Sequence, residues 1–186
     1  MLKNILIKTA EILNRDDIIS ELNSENSNSS ELQNDIFRLI SYYNFTIEKL
    51  CENYFSISHT QSIHSDKNRK ISFLNFKYQP LRIYSVTKNN KKVFHSEFSK
   101  YILVPEACCN YEISYTYLPD HLTNLNDKVE LPRGISTKMI CYGIASEFLA
   151  CKNNIDKSEY WNNKFMLEIF KSKTSRERKL KQNFFL

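Results

Sequence analysis

Two adjacent thiols are the first groups in this chain that could support chemistry. Cys108 and Cys109 are neighbours, and a histidine brought near them by folding would supply a base for a nucleophile. No known local signature surrounds this pair, and the other cysteines, Cys51, Cys141 and Cys151, form no C-x-x-C spacing. We therefore expect Cys108-Cys109 to be a turn with two small thiols, and the cysteines in general to be reduced and structural.

Histidines and carboxylates are the other groups that could act as bases or metal ligands. His59 and His64 are five residues apart, so a regular helix would not bring both onto one face. His121 follows Asp120, but adjacent side chains usually point apart and no third partner is visible. The acids at other candidate positions suit helix capping and dipole roles: Asp16, Asp17, Glu25 and Asp35. We expect no catalytic centre, no metal site and no cofactor, so the chain is predicted not to be an enzyme.

Glycine is scarce enough to exclude whole classes of site. Gly134 and Gly143 are the only two glycines among 186 residues. Neither G-x-G-x-x-G nor G-x-x-x-x-G-K-[ST] can be written with them, so the common phosphate-binding loops are absent.

Overall composition is ordinary for a globular protein, with 41% hydrophobic and 25% charged residues. No apolar run approaches the roughly 20 residues that a membrane span needs. The N-terminal residues resemble an amphipathic helix and lack a signal-peptide cleavage pattern, which predicts a protein made and kept in the cytoplasm.

Periodic apolar residues predict helices at both ends of the chain. One bent or two short helices are expected before residue 23, followed by a polar loop. Ser30 and Gln33 form a capping-box pattern, and the spacing that follows predicts a long amphipathic helix over about 31–54. Near the C-terminus the pattern predicts a helix over about 135–151 and a last helix that contains Trp161.

The middle of the chain has the composition of β-strands. β-branched and aromatic residues become dense after the polar stretch 58–70, and strictly alternating residues end at Tyr117. Asn89-Asn90 is typical of a hairpin turn. The predicted strands are 71–76, 81–87, 92–96, 101–104 and 111–118.

This order of elements predicts an α+β fold. The N- and C-terminal helices form a helical domain, and a small antiparallel β-sheet module is inserted between them. An extended C-terminal arm follows the last helix. The predicted segments are N-terminal helices at 1–60, the inserted β module at 61–120, C-terminal helices completing the helical domain at 121–170, and a basic C-terminal arm at 171–186.

The C-terminal segment contains all of the net charge. Six basic residues and one acid lie between Lys171 and Leu186, so this segment has the same charge, +5, as the whole chain. It could be a solvated terminus or an arm that neutralises DNA phosphates. Because it ends in Phe184-Phe185-Leu186, we favour an extended or helical arm that docks onto an acidic, grooved protein partner.

Four short patterns follow one another between residues 70 and 170. They are Tyr78-Gln79-Pro80-Leu81-Arg82-Ile83, then Tyr115-Thr116-Tyr117-Leu118-Pro119, then Leu131-Pro132 before the helix with Tyr142-Gly143-Ile144-Ala145-Ser146-Glu147-Phe148-Leu149, and finally Tyr160-Trp161 with Phe165. In this order they resemble the head-to-tail connector (adaptor) proteins of tailed bacteriophages, where P-x-x-I/V, Y-x-Y-x-P, L-P and Y-G-x-A-x-E-x-L patterns recur before a closing helix with tryptophan.

The resemblance implies a structural protein of the virion neck, synthesised in the host cytoplasm. Such a subunit joins a ring, usually of twelve copies, that connects the portal at the capsid vertex to the tail and lines the channel through which DNA passes without sequence-specific binding. The implied partners are further copies of the chain, the phage portal protein and a tail-side connector or tail terminator protein, with no membrane. The alternative function is that of a small DNA-binding protein that uses the basic C-terminal tail. The expected portal-binding residues are Lys171, Lys173, Arg176, Arg178, Lys179, Lys181, Phe184, Phe185 and Leu186.

Overall fold

A computed structural model of the protein describes residues 1–24 and 29–183, and describes side chains as far as Thr174. Its α-helices are α1 (Leu2–Leu13), α2 (Asp16–Asn23), α3 (Ser30–Asn53), α4 (Thr137–Cys151) and α5 (Ile155–Asn183). Its strands are β1 (Ile57–His64), β2 (Lys70–Ser72), β3 (Pro80–Lys88), β4 (Lys91–Lys92), β5 (Ser96–Glu97), β6 (Tyr101–Leu103) and β7 (Asn110–Tyr117). The predicted α+β class is confirmed.

The chain divides into two compact units. One combines Met1–Phe55 with the chain from Asp120 onward and contains the five helices. The other, Ser56–Pro119, contains the seven strands. The β unit is thus an insertion between the third and fourth helices, and it begins at Ser56 rather than at residue 61.

The helical unit is built around α4. This helix packs against α1, α3 and α5, and for that reason it buries side chains on most of its surface. Ser146 of α4 and Ser158 of α5 exchange hydrogen bonds: each hydroxyl donates to the other residue's carbonyl, at 3.1 Å and 2.9 Å. These two bonds satisfy the polar groups that the contact between α4 and α5 buries.

The first three helices follow the predicted order, with one difference at a cap. Asn14 adopts the left-handed conformation that ends α1, so the N-terminal segment forms two helices and not one bent helix. Ser29, not Ser30, caps α3 and accepts a hydrogen bond from the Leu32 N–H. The cap therefore lies one residue earlier than the capping-box pattern indicates.

The β unit consists of two antiparallel sheets. Their strand orders are β1-β7-β3-β4 and β2-β6-β5. Side chains from both sheets bury one common apolar cluster that includes Ile63, Ile71, Ile102, Ile113 and Tyr115. The shared core makes these short strands one unit, because a sheet of two or three strands buries little by itself.

Several strand predictions need correction. Strand β1 occupies seven of the thirteen residues of the polar stretch 58–70, and it pairs along its whole length with β7. The segment 71–76 is strand only as far as Ser72, after which Phe73–Asn75 form a 3-10 turn capped by the Ser72 hydroxyl. The predicted strand 92–96 is divided between β4 and β5.

The hairpin between β3 and β4 agrees with the prediction. Asn89 and Asn90 have φ values of 52° and 61°, the left-handed pair that a type I′ turn requires. Asparagine adopts this conformation more readily than other residues with a side chain, so the turn forms without glycine.

The C-terminal segment was predicted to be an extended or helical arm, and it is helical as far as Asn183. Helix α5 continues without a break to Asn183. Its last thirteen residues contain Lys, Arg, Glu, Gln and Leu but no Gly or Pro, a composition that favours helix. The basic arm is therefore a continuation of α5 as far as the structure describes it.

Candidate functional site

Lys171 and Lys173, the basic residues of the expected partner site whose side chains are described, lie in the second half of α5. Lys171 is 58% exposed at its side chain and pairs with Glu168 at 3.0 Å. The Lys173 Nζ lies 4.6 Å from the centroid of the Tyr54 ring, close enough for a cation–π contact. Both ammonium groups are at the surface, where a partner can reach them.

Of the other seven expected contact residues, four are described only as backbone and three lie outside the described residues. Helix α5 includes four basic residues whose side chains lie outside the described residues: Arg176, Arg178, Lys179 and Lys181. The last three expected contact residues lie outside the described residues altogether: Phe184, Phe185 and Leu186. What the structure adds is that the six basic residues share one continuous helix.

The outward side of α5 is apolar as well as basic. Phe165 and Ile169 are buried against the helical unit. On the opposite side, Tyr160, Leu167 and Phe170 are 53%, 46% and 65% exposed. Their spacing of seven and three residues places them in one row along the helix, which we call the α5 stripe.

A concave surface lies elsewhere in the helical unit, between α2, α3 and the segment 123–126. It encloses about 420 Å³, and we call it the α2–α3 hollow. Its apolar walls are formed by Leu22, Ile36, Phe37, Ile40 and Leu125, and its polar lining residues are Glu21, Ser24, Gln33, Thr123, Asn124 and Asn126.

Among the residues that line the hollow, Glu21 is the charged one. Asp16 and Asp17 lie in the first turn of α2, away from the lining residues near its end, and Arg15 donates to both oxygens of Asp17 at 2.8 Å and 2.7 Å. A hydrogen bond from Arg15 lowers the pKa of Asp17, so that carboxylate stays charged at neutral pH.

The adjacent thiols form the turn that the sequence predicts. Cys108 has a φ of 53°, and Ser65 fixes the turn by accepting from the Cys109 N–H and donating to the Glu106 carbonyl, each at 3.1 Å. The Lys88 Nζ lies 2.5 Å from a Glu106 oxygen and 3.4 Å from the Cys109 sulfur. The hydrogen bond to Glu106 raises the pKa of Lys88, with a smaller contribution from Cys109.

The remaining cysteines differ in exposure. Cys51 and Cys141 are buried, whereas Cys151 is exposed. Burial raises the pKa of the Cys51 thiol to about 11 and also raises that of Cys141. Two of the five cysteines are therefore buried thiols within the core, whereas Cys108 is exposed and Cys109 is half-buried.

The histidines are not brought together. His59 and His64 lie on β1 at an odd spacing, so they face opposite sides of the sheet. His64 Nδ1 is 2.9 Å from the Asn110 side-chain oxygen, and His121 Nε2 is 2.5 Å from a Glu48 oxygen rather than near Asp120. Among the described residues, no group of three or more His, Cys, Asp or Glu side chains could hold a metal ion.

Asp35, one of the acids considered as a candidate base, is neutralised by basic side chains. The Asp35 side chain is only 3% exposed and pairs with Arg15 at 3.1 Å, Lys152 at 3.0 Å and Arg38 at 3.5 Å. Arg15 and Lys152 also lie over the ring of Phe148, at 5.9 Å and 5.5 Å. This cluster ties the α1–α2 junction, α3 and the end of α4 together, and a carboxylate held by three cations is a structural group rather than a base.

Comparison with known protein families found no family that matches this chain, and no curated protein matches it either. In the described ranges, no helix is both long and apolar enough to cross a membrane.

An aromatic cluster in the β unit went unrecognised in the sequence. The rings of Tyr78 and Tyr117 stack with centroids 4.1 Å apart, and His59 meets Tyr78, Tyr115 and Tyr117 edge-on. The alternation of Tyr115 and Tyr117 pointed to a packed face, but the partner His59 lies more than 50 residues earlier. The α5 stripe and the α2–α3 hollow were missed for the same reason, since each depends on which helix face the rest of the unit covers.

Proposed function

We propose that this protein is a head-to-tail connector of a tailed phage, a structural subunit whose ring joins the portal to the tail. The observation that carries the proposal is the order of the four sequence patterns together with the elements on which they lie. Pro80 begins β3, Tyr117 ends β7, Gly143 lies in α4 and Trp161 in α5. A helical unit interrupted by a β unit is the arrangement that this order of patterns implies.

The residues of these patterns have packing roles, which supports a mechanical function. Tyr78 and Tyr117 stack on each other, and the Tyr142 and Trp161 rings join α4 to α5 with centroids 5.1 Å apart. Gly143 provides the space in which Thr46 and Phe165 approach α4. None of these contacts positions a nucleophile or a proton donor. The pattern residues would therefore maintain the packing of the two units.

Portal attachment is proposed to use the basic end of α5. A helix with six cations suits a groove lined by carboxylates, and aromatic side chains near its end would provide apolar anchors. In a ring, each copy would present the same helix, so modest contacts would be multiplied by the number of copies.

The test is binding to the portal protein of the same phage. Deletion of residues 174–186 is expected to abolish binding, and so is the replacement of Arg176, Arg178, Lys179 and Lys181 by glutamine. The matched control replaces the exposed basic pair Lys91 and Lys92 of β4 by glutamine and should bind as the wild type does. Electron microscopy of the wild-type mixture should show rings seated on the portal. Unchanged portal binding by the deletion variant would contradict the role of α5, and a mixture without rings would contradict the connector function.

The DNA-binding alternative uses the same cations and makes a different prediction. If every tail cation contacted a phosphate, the logarithm of DNA affinity would fall with the logarithm of salt concentration with a slope of magnitude about 4 to 6. For a connector we expect weak DNA binding that deletion of residues 174–186 hardly changes. A steep salt dependence that the deletion removes would favour the alternative.

A further inference from the structure

The neutral total charge of residues 1–170 conceals a difference between the two units. The β unit, Ser56–Pro119, has nine lysines and arginines and four acidic residues, a net charge of +5. The helical unit as far as residue 170 has eleven basic and sixteen acidic residues, a net charge of −5. The β unit is therefore a basic region of its own, in addition to the C-terminal end of α5.

Much of this positive charge lies at one end of the β unit. Strands β1 and β7 pair from Ile57–Tyr117, beside the points where the chain enters and leaves the unit, to His64–Asn110 at the opposite end. Strands of this length separate the two ends by roughly 25 Å. Three segments lie at the far end, and we call them the basic tip: residues 65–69, 88–92 and 104–109.

Hydrogen bonds join the three segments of the basic tip. The Cys108 N–H donates to the Asp66 carbonyl at 3.3 Å, and the Ser65 hydroxyl donates to the Glu106 carbonyl at 3.1 Å. The Lys88 ammonium lies 2.5 Å from a Glu106 carboxylate oxygen, which connects the β3–β4 hairpin to the same surface. Because these contacts hold the three segments together, their outward side chains belong to one surface.

Four exposed cations belong to the basic tip: Lys67, Arg69, Lys91 and Lys92. Among the described residues, none of the four has an ion pair, a hydrogen bond from its charged group or a ring contact. The type I′ turn at Asn89-Asn90 fixes the backbone beside two of them, so these charges are presented on a rigid support.

The acids near the basic tip offset only part of this charge. The Asp66 carboxylate accepts hydrogen bonds from two N–H groups of its own loop, at 2.8 Å and 2.7 Å, and Glu106 is paired with Lys88. Glu112 is exposed on the neighbouring part of β7. Counting every charge, the three segments have five basic and two acidic residues, a net charge of +3. With Glu112 included the surface stays positive.

We propose that the basic tip binds the phosphate backbone of duplex DNA without reading its sequence. Unpaired lysines and arginines neutralise phosphates and release counterions, which is the main source of non-specific affinity for DNA. An acidic protein partner suits this surface less, because protein interfaces depend on large apolar anchors and no large exposed hydrophobic side chain of the β unit lies in these segments. This inference rests on the proposed function, since a connector surrounds the DNA that passes through it, but nothing in the resemblance specifies this surface.

The test compares two triple variants of the full chain that remove the same charge from the β unit. The tip variant combines three substitutions in the basic tip: Lys67→Gln, Lys91→Gln and Lys92→Gln. The matched control combines three substitutions at exposed basic residues of the β unit outside the tip: Lys77→Gln, Arg82→Gln and Lys100→Gln. Because all six side chains are exposed, both variants should unfold at the wild-type temperature.

The assay is fluorescence anisotropy of a labelled DNA duplex of about 20 base pairs, at salt concentrations from about 50 to 200 mM. Since each phosphate contact contributes about 0.9 to the slope of log affinity against log salt, we expect a wild-type slope of magnitude about 3–4. The tip variant should lower this magnitude by about 2–3 and bind about tenfold more weakly at the lowest salt, while it still binds the portal. The control should bind DNA as the wild type does, and duplexes of unrelated sequence should bind alike.

Three results would overturn the proposal. Unchanged DNA binding by the tip variant would mean that the tip makes no phosphate contacts. Equal losses in the two triple variants would mean that binding follows net charge and has no particular site. Loss of DNA binding on deletion of residues 174–186, with the tip variant unaffected, would assign the phosphate contacts to the end of α5.

The same measurements separate this proposal from the connector function. Portal binding by the wild type together with normal DNA binding by the tip variant would refute the DNA site and leave the connector function standing. DNA binding that depends on the basic tip, in a protein that does not bind the portal, would refute the connector function and leave the DNA site standing.

Discussion

Replacing Gly143 by alanine tests how closely α3 and α5 approach α4. A Cβ atom at this position would lie 2.5 Å from the Thr46 Cγ2 and 3.2 Å from the Phe165 Cε2. Carbon atoms prefer separations of about 3.5–4.0 Å, so at least the Thr46 side chain must move. The position is buried within a helix, where there is little room for that movement.

Two opposing effects determine the magnitude. Alanine is favoured over glycine inside a helix by about 1 kcal/mol. Overpacking of a close-packed core costs about 1–3 kcal/mol, and a contact at 2.5 Å with a β-branched side chain belongs at the upper end of that range. We therefore expect Gly143→Ala to lower the free energy of unfolding by about 1–2 kcal/mol, against its helix propensity.

A double-mutant cycle isolates the cause. In a Thr46→Ala background the main steric clash is absent, so Gly143→Ala should cost nothing or stabilise slightly, which gives a coupling energy of about 2 kcal/mol. The assay is urea unfolding at 25 °C followed by circular dichroism at 222 nm, which reports on the helical unit. If Gly143→Ala stabilises the wild type, or destabilises both backgrounds equally, the argument from close approach is wrong.

Four other substitutions test particular features of the structure. Thr46→Val should raise the free energy of unfolding by about 1 kcal/mol, because the buried Thr46 hydroxyl has no hydrogen-bond partner among the described residues. Asp35→Ala should cost about 3–5 kcal/mol, since it leaves a partly buried cluster of cations without its anion, whereas the exposed control Asp16→Ala should change little. Asn90→Val should cost about 1–2 kcal/mol, because a β-branched residue is strained at a φ of 61°. Burial raises the pKa of the Cys51 thiol from 9.0 to about 11 in the folded state. Its contribution to the free energy of unfolding should therefore be present below pH 9 and be lost as pH rises towards about 11, and Cys51→Ala should remove this pH dependence.

Thermal and urea unfolding measure all four. A destabilised Thr46→Val would mean that the hydroxyl has a partner, and an Asp35→Ala protein as stable as its control would mean that the three cations are satisfied elsewhere. If Asn90→Val does not weaken the hairpin, the turn can adopt another type. An unchanged pH profile in Cys51→Ala would assign the alkaline loss to other groups, such as Tyr43, whose pKa burial raises to about 12.

Much of the fold could be predicted because its signals are local. The three- and four-residue spacing of α3 reflects which side of a helix faces the core, and Asn89-Asn90 adopts the backbone conformation that its hairpin needs. Strand β1 escaped prediction because polar side chains, His59 and Gln61, occupy two of its four inward positions. Gln61 is accommodated there by hydrogen bonds with the Tyr115 hydroxyl and the Lys77 N–H, partners that no short window of sequence contains.

The sequence by itself determined the class of the fold, the order in which a β region follows and precedes helices, the concentration of positive charge at the C-terminus and the absence of glycine-based phosphate loops. These follow from composition and from patterns that span a few residues. Only the tertiary structure decided that Asp35 is neutralised by three cations, that Thr46 and Phe165 crowd Gly143, and that an apolar stripe and an apolar hollow lie on different helices. Each of these depends on side chains far apart in the chain, because long-range packing decides which faces are covered and which remain open to a partner.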